Sequence, residues 1–485
     1  MWDNIINTAL LGTGKKQLSV KDLPADLQPV AESIAGNKTL DVETQFLHLA
    51  ALMLNYRQSG VTALQEGGVP LDPCAPEALP YCNKLALYAL QDALDMDLLP
   101  LVTYWLDTCH KAGQVVVPEY VPALLDIAVA QKRIRHLAMA VCGKRGQWLR
   151  NMNPDWQFSF AEKEEDRWLT GTPEERRQVL QDIRQTMPEK AMQWLQQTWA
   201  QENAANRADF LKIMRTNISS EDTYWLESLQ QEKSQKVKEE IWALLKLIPS
   251  SFIVQSYWQL LQTAVTRGQQ QAIHISLSLP LDKMMIDSGI ATLSNEKNVS
   301  EEAYILFQLV GSVPPAYWES HFNTDKEEVL QIFENDDLAK RFLPALILAA
   351  GRFKDAGWLR LLLKNSKDFY PDVIPLLPAA EQEAYALRLF PNYPQDVINY
   401  LSARTDEWGF AITSEVLRWM AGNPYQYTRN FFDKHVLQLP AAIAGELENL
   451  SPEEPGYLAT WRNTSEHIRR LLDCKAQINH AFQTN

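Results

Sequence analysis

Residues able to do chemistry are few in this chain, and their spacing works against most reactions. Gly12-Thr13-Gly14-Lys15-Lys16 holds a fragment of a phosphate-binding loop, in which bared backbone amides and a lysine cradle phosphates. That motif also needs an earlier glycine, a Ser or Thr after the lysine and a strand ahead of it, and all three are missing. The 8 histidines never reach an HExxH or His-Cys ligand spacing, so no metal site is expected. Asp95 and Asp97 straddle a helix break, but two carboxylates without further oxygen ligands read as a turn. Cys109 and His110 are adjacent, which points their side chains apart on a helix, and no GxSxG elbow occurs. The expectation is a protein without catalytic residues, cofactor or metal.

Two features suit a partner instead. Lys132, Arg133, Arg135, His136, Lys144, Arg145 and Arg150 form the one basic cluster, able to meet an acidic partner or simply to lie on a solvated helix face. The stretch from Cys142 to Arg177 carries Trp148, Trp156 and Trp168 around Asn153-Pro154, a dipeptide that cannot sit inside a helix. Tryptophans here either plug the seam between helical blocks or anchor a docked partner. Trp148, Trp156, Trp168, Arg133, Arg135, Lys144 and Arg145 are therefore the candidate partner-binding residues.

Pro122-Ala-Leu-Leu-Asp126, Gly146-Gln-Trp148-Leu149, Asn153-Pro154-Asp-Trp156 and the run from Arg167-Trp168-Leu169 through Thr172-Pro173-Glu174-Glu175-Arg176 follow one another at a recognisable spacing. With the opening Trp2 and Ala9-Leu10-Leu11-Gly12-Thr13, they resemble a bacterial family of helical proteins without an assigned activity. The resemblance is strongest over residues 118–250. Members of that family tend to be encoded beside a SWIM zinc-finger protein, a MoxR-type AAA+ ATPase and a von Willebrand factor A-domain protein. The resemblance implies a non-enzymatic helical partner in such an ATPase system, by association alone.

The elements that must position these residues are helices. With 485 residues and 46% hydrophobic content the chain is long enough for a few domains or one extended repeat array. A net charge of −14 repels phosphate backbones, which disfavours nucleic-acid binding. Acids concentrate toward residues 261–485, which suits a basic partner or scattered solvated helix faces. The 5 cysteines form no CxxC pair, no basic-then-apolar leader opens the chain and no apolar run suffices to span a bilayer, so a cytoplasmic protein without membrane contact is expected.

In order, helices are predicted over residues 41–56, 85–94, 98–109 and 121–142. The connector follows, then helices at 173–187, 189–200, 207–216 and a pair over 219–248. Thr172 and Glu175 form a capping box with Pro173 in the first turn. Val237, Ile241, Leu244, Leu245 and Ile248 share one helix face, and the unit reads as a HEAT-type repeat. Helical text then stops repeatedly at prolines, at Pro280, Pro314, Pro378 and Pro440. Capping boxes are expected at Thr324 and Ser451, and a last helix from Tyr457 to Phe482 is expected to cap the stack. The expected architecture is all-α: helical pairs forming a HEAT-like α-solenoid, with an N-terminal helical block over 1–145, a tryptophan-rich connector over 146–172 and the array over 173–485. A scaffold or adaptor for a protein partner is the favoured function. The alternatives are an enzyme whose carboxylates assemble in the N-terminal block and a HEAT-like nucleic-acid binder.

Overall fold

The computed structural model describes residues 2–60, 72–158, 164–268, 273–294 and 299–483. These residues are overwhelmingly helical, with one short antiparallel pair of strands, Val265–Arg267 against Ile273–Ile275. Two compact units divide at Cys74 and Ala75, and the expected connector over 146–172 falls inside the second. The reason is a shared interior: the residues on both sides of the expected connector bury side chains in one apolar core.

The first unit, Met1–Cys74, gathers Ile5, Ala31, Leu49 and Met53 from three helices, Trp2–Leu11, Gln28–Ala35 and Val42–Ser59, with Leu23 from the segment between the first two. Asp41 caps the third helix by accepting from the Thr44 amide at 2.7 Å, and this hydrogen bond holds its carboxyl below the ordinary range. Leu49 and Met53 of the expected apolar face are buried, while Leu54 is exposed. Gly12 follows the first helix, its amide bonded to the Thr8 carbonyl at 2.9 Å, so the phosphate-loop fragment is a helix-ending turn.

In the second unit, Ala75–Asn485, helix Gln235–Leu245 shows the rule for the rest. Its apolar positions Val237, Ile241, Leu244 and Leu245 recur at three- and four-residue intervals, and all four are buried, roughly 1.5–3 kcal/mol each. Successive helices pack on one another in this way. Pro173–Thr186 touches Pro188–Thr198 and Ala204–Met214, and the latter packs on Gln235–Leu245. Further on, Leu343–Arg352 packs on Ala356–Lys364, and Ala379–Leu389 on Phe410–Ala421.

Three local expectations are corrected. The single helix expected over 121–142 is two, Val121–Ala130 and Arg135–Met152. The second is broken at Gly143, which turns to φ 60, and beyond the kink the Glu77 carboxylate accepts from the Lys144 and Arg145 amides at 2.9 and 2.8 Å. A carboxylate distant in sequence thus starts a fresh helical segment. At 324–328 the cap is Asp325 rather than Thr324, and after Ser451 no helix starts until the 3-10 turn Pro455–Tyr457 leads into helix Leu458–Gln483.

That last helix does not cap an open stack. It packs on helices Lys84–Asp95 and Leu99–Lys111 at the start of the same unit. Asn83 donates to the Ala481 carbonyl at 2.7 Å, Tyr104 to Asn479 at 2.5 Å, and the Phe482 ring meets Trp105 edge-on at 5.7 Å. Neighbour contacts in the unit therefore close from its end back to its beginning.

Candidate functional site

The tryptophan connector divides between surface and interior. Trp148 and Trp156 are half-buried, and the Trp156 indole donates to Asp126 at 2.7 Å, tying the Pro154–Trp156 turn to helix Val121–Ala130. Trp168 is only 1% exposed, stacked on Trp194 at 6.0 Å and tilted against Phe210 at 5.3 Å. The Arg176 guanidinium covers its ring at 4.5 Å and donates to its carbonyl at 2.7 Å. A side chain enclosed in this way packs the core.

The basic cluster is likewise partly spent on the fold. Arg135 donates to the Ala128 and Val129 carbonyls at 2.9 and 3.0 Å, closing the end of helix Val121–Ala130. Arg135 and Arg150 flank the buried Phe158 ring at 4.9 and 5.0 Å. Lys144 and Arg145 meet Glu77 through their backbone amides, and Arg133 and Lys144 are exposed. The structure thus gathers Arg135 with Arg150, and Lys144 with Arg145, but builds no shared pocket from the three tryptophans.

A cleft of about 800 Å³ lies elsewhere, between the segment before helix Ala379–Leu389 and the end of helix Pro394–Ala403. Its floor is polar and fixed. Tyr400 donates to Gln382 Oε1 at 2.5 Å, and the Gln382 amide donates to the Leu377 carbonyl at 2.6 Å. Burial raises the Tyr400 hydroxyl above its ordinary pKa, so it stays a neutral donor. Arg404, its side chain 9% exposed, lies beside them, bidentate on Asp406 with the Glu383 carboxylate 3.6 Å away. The Asp406 hydrogen bonds hold the guanidinium's pKa up, and Arg404 in turn holds Asp406 down.

Glu383 also accepts from the Gly409 amide at 2.7 Å at the start of helix Phe410–Ala421. A Cβ on Gly409 would stand 1.9 Å from that carboxylate, so a side chain there would have to push the Glu383 carboxyl off the amide. The rim carries Asp372 and Asp396, both exposed and without an ion pair among the described residues. Once Arg404 is neutralised by Asp406, the cleft presents uncompensated negative charge over hydrogen-bonding groups.

A model of a family described as "Family of unknown function (DUF5691)" matches residues 4–482. The chain belongs to that family. No curated protein and no solved structure matches it. The match takes in both compact units of this DUF5691 member, well beyond the stretch where its sequence resemblance was strongest. None of the cleft residues was singled out from sequence; Asp372, Asp396 and Asp406 looked like acids on solvated faces, and only the acidity of the C-terminal half hinted at them. Among the described residues no group of three His, Cys, Asp or Glu side chains is placed to hold a metal, and no helix is long and apolar enough to cross a membrane.

Proposed function

We propose that this protein is a non-enzymatic helical scaffold that docks a basic segment of a partner protein in the cleft beside Tyr400. The observation that carries the reading is the pair of unpaired rim carboxylates, Asp372 and Asp396, above a rigid donor and acceptor floor. Lysine or arginine side chains gain charge-assisted hydrogen bonds at such a rim, while Gln382 and Tyr400 suit the polar groups of an extended backbone. Consecutive helix-on-helix packing from Pro173 onward supports a HEAT-like reading of the array, the kind of framework on which such a docking place is held rigid. The resemblance noted above suggests a MoxR-type ATPase or a von Willebrand A-domain protein as the partner. Five cysteines without a disulfide are consistent with work in a reducing cytoplasm.

The test is fluorescence anisotropy with labelled Lys/Arg-rich peptides at low and high salt, on the whole chain and on a D372N/D396N variant. Binding that weakens with salt and falls about tenfold in the variant is expected. Equal binding by both proteins would remove the cleft from the proposal. Capture from cells with and without ATP then asks whether the bound partner is an AAA+ ATPase or an A-domain protein.

A further inference from the structure

Cations placed deep in this fold are generally given a carboxylate. Arg184 meets Asp222 at 2.5 Å, Lys475 meets Glu407 at 2.6 Å, Arg176 meets Glu202 at 2.5 Å and Arg207 meets Glu232 at 2.9 Å. Lys246 and Arg352 break the pattern. Lys246 sits at the end of helix Gln235–Leu245, Arg352 ends helix Leu343–Arg352, and neither forms an ion pair among the described residues. Their polar contacts are neutral: Lys246 Nζ donates to the Ser288 carbonyl at 2.8 Å, and Arg352 donates to Ser312 Oγ at 2.8 Å.

The wall around them is also polar. Tyr257 shares a hydrogen bond with Ser288, whose hydroxyl donates to the Met285 carbonyl at 2.6 Å, and Ser312 donates to the Gln308 carbonyl at 2.7 Å. The nearby Asp282, whose charge reaches Tyr257, spends Oδ1 on the Met285 amide as a helix cap. Helix C-termini favour each cation by only about 0.3–1 kcal/mol, which does not replace a counter-charge. After the contacts named, Lys246 keeps two N–H donors and Arg352 four, all on groups that a carboxylate would ordinarily satisfy.

We infer that Lys246 and Arg352 form a binding site for a small oxyanion of the phosphate class, held by the free N–H donors of the ammonium and the guanidinium. A tetrahedral oxyanion matches the donors: a guanidinium offers two parallel N–H groups to two oxygens, and an ammonium takes a third. The anion supplies the charge that the fold omits here. Burial, and the repulsion from Arg352, push the Lys246 ammonium down to about 8, a cost that a bound anion relieves. The inference does not rest on the docking cleft, which lies on other elements.

The experiment is equilibrium binding of inorganic phosphate to the full chain, by isothermal titration and by thermal melting against sodium chloride of matched ionic strength. Wild type is expected to bind phosphate saturably and to melt higher in phosphate than in chloride. Lys246→Met and Arg352→Met are each expected to weaken phosphate binding about tenfold or more while remaining folded. Acetate, tested in parallel, is expected to bind more weakly, since it offers two oxygens. Lys246→Arg keeps the charge and should keep most of the binding, which separates lost recognition from lost folding. Phosphate acting no differently from chloride on wild type, or acting equally on wild type and both methionine variants, would overturn the inference.

Discussion

Arg184 is the perturbation whose size the structure states best. Its side chain is 1% exposed and joins two helix pairs: Nε donates to the Thr216 carbonyl at 2.7 Å, Nη1 to Pro188 at 2.9 Å, and Nη2 to Asn217 at 3.1 Å and Asp222 at 2.5 Å. Asn217, at φ 51, answers by donating its amide to the Arg184 and Gln185 carbonyls. Arg184→Met keeps the apolar stem but leaves the buried Asp222 carboxylate with only the Ser219 amide, and takes the guanidinium donors from four carbonyls, those of Thr216, Pro188, Met214 and Asn217. Breaking a buried pair from one side costs about 3–5 kcal/mol, and the carbonyl losses overlap with that figure because they share the same guanidinium. A loss of about 4 kcal/mol moves a urea midpoint down by about 1 M for an m value near 3–4 kcal/mol/M. Urea unfolding followed by tryptophan fluorescence reads it. The R184M/D222N double variant removes the stranded charge and should recover about half the loss. A single variant within about 1 kcal/mol of wild type, or a double variant no better than the single, would refute the reasoning.

Two other outcomes follow from single contacts. Gly143→Ala puts a Cβ 2.4 Å from Glu77 Oε2 at a φ of 60, so it should displace the Glu77 cap and cost about 2–3 kcal/mol in the same urea assay, whereas Glu77→Gln should cost less. Lys246 gives a pH dependence whose sign is fixed: its folded pKa, about 8, lies below its unfolded value, so between about 8 and 10.5 the unfolded chain holds more protons and stability rises with pH. Lys246→Met should therefore melt higher than wild type near pH 7 in phosphate-free buffer. With partial exposure discounted, the gain is roughly 2–3 kcal/mol, and it should fade as pH approaches 10. Melting curves of both proteins across that range check it, and a constant difference would contradict it.

Short-range chemistry made much of the fold legible in advance. Thr172 with Glu175, and Asp41 with Thr44, start helices where their hydroxyl and carboxylate were expected to, and the three- and four-residue spacing of Val237, Ile241, Leu244 and Leu245 buries as read. What misled was text whose meaning depends on a distant residue. The helix expected to end at Cys142 does break at Gly143, but a new helical segment starts beyond it because Glu77 caps the amides there, and strands Val265–Arg267 and Ile273–Ile275 have too few residues to leave a periodic signal. The candidate sites fared worse for the same reason. Trp168 at a helix boundary reads equally as anchor or core, and only Trp194, Phe210 and Arg176 folding over it decide for core.

The sequence by itself determined the class: capping residues, prolines and apolar spacing act within a turn or two of the chain, so helices and their inward faces are local properties. Tertiary structure alone decided that the last helix closes on the first helices of its unit, that Asp372 and Asp396 share a cleft with Tyr400, and that Arg352 comes near enough to Lys246 for its charge to be felt there, with no carboxylate paired to either among the described residues. Those are facts about charges and contacts between segments far apart along the chain, and burial, which fixes what each charge costs, exists only once they have met.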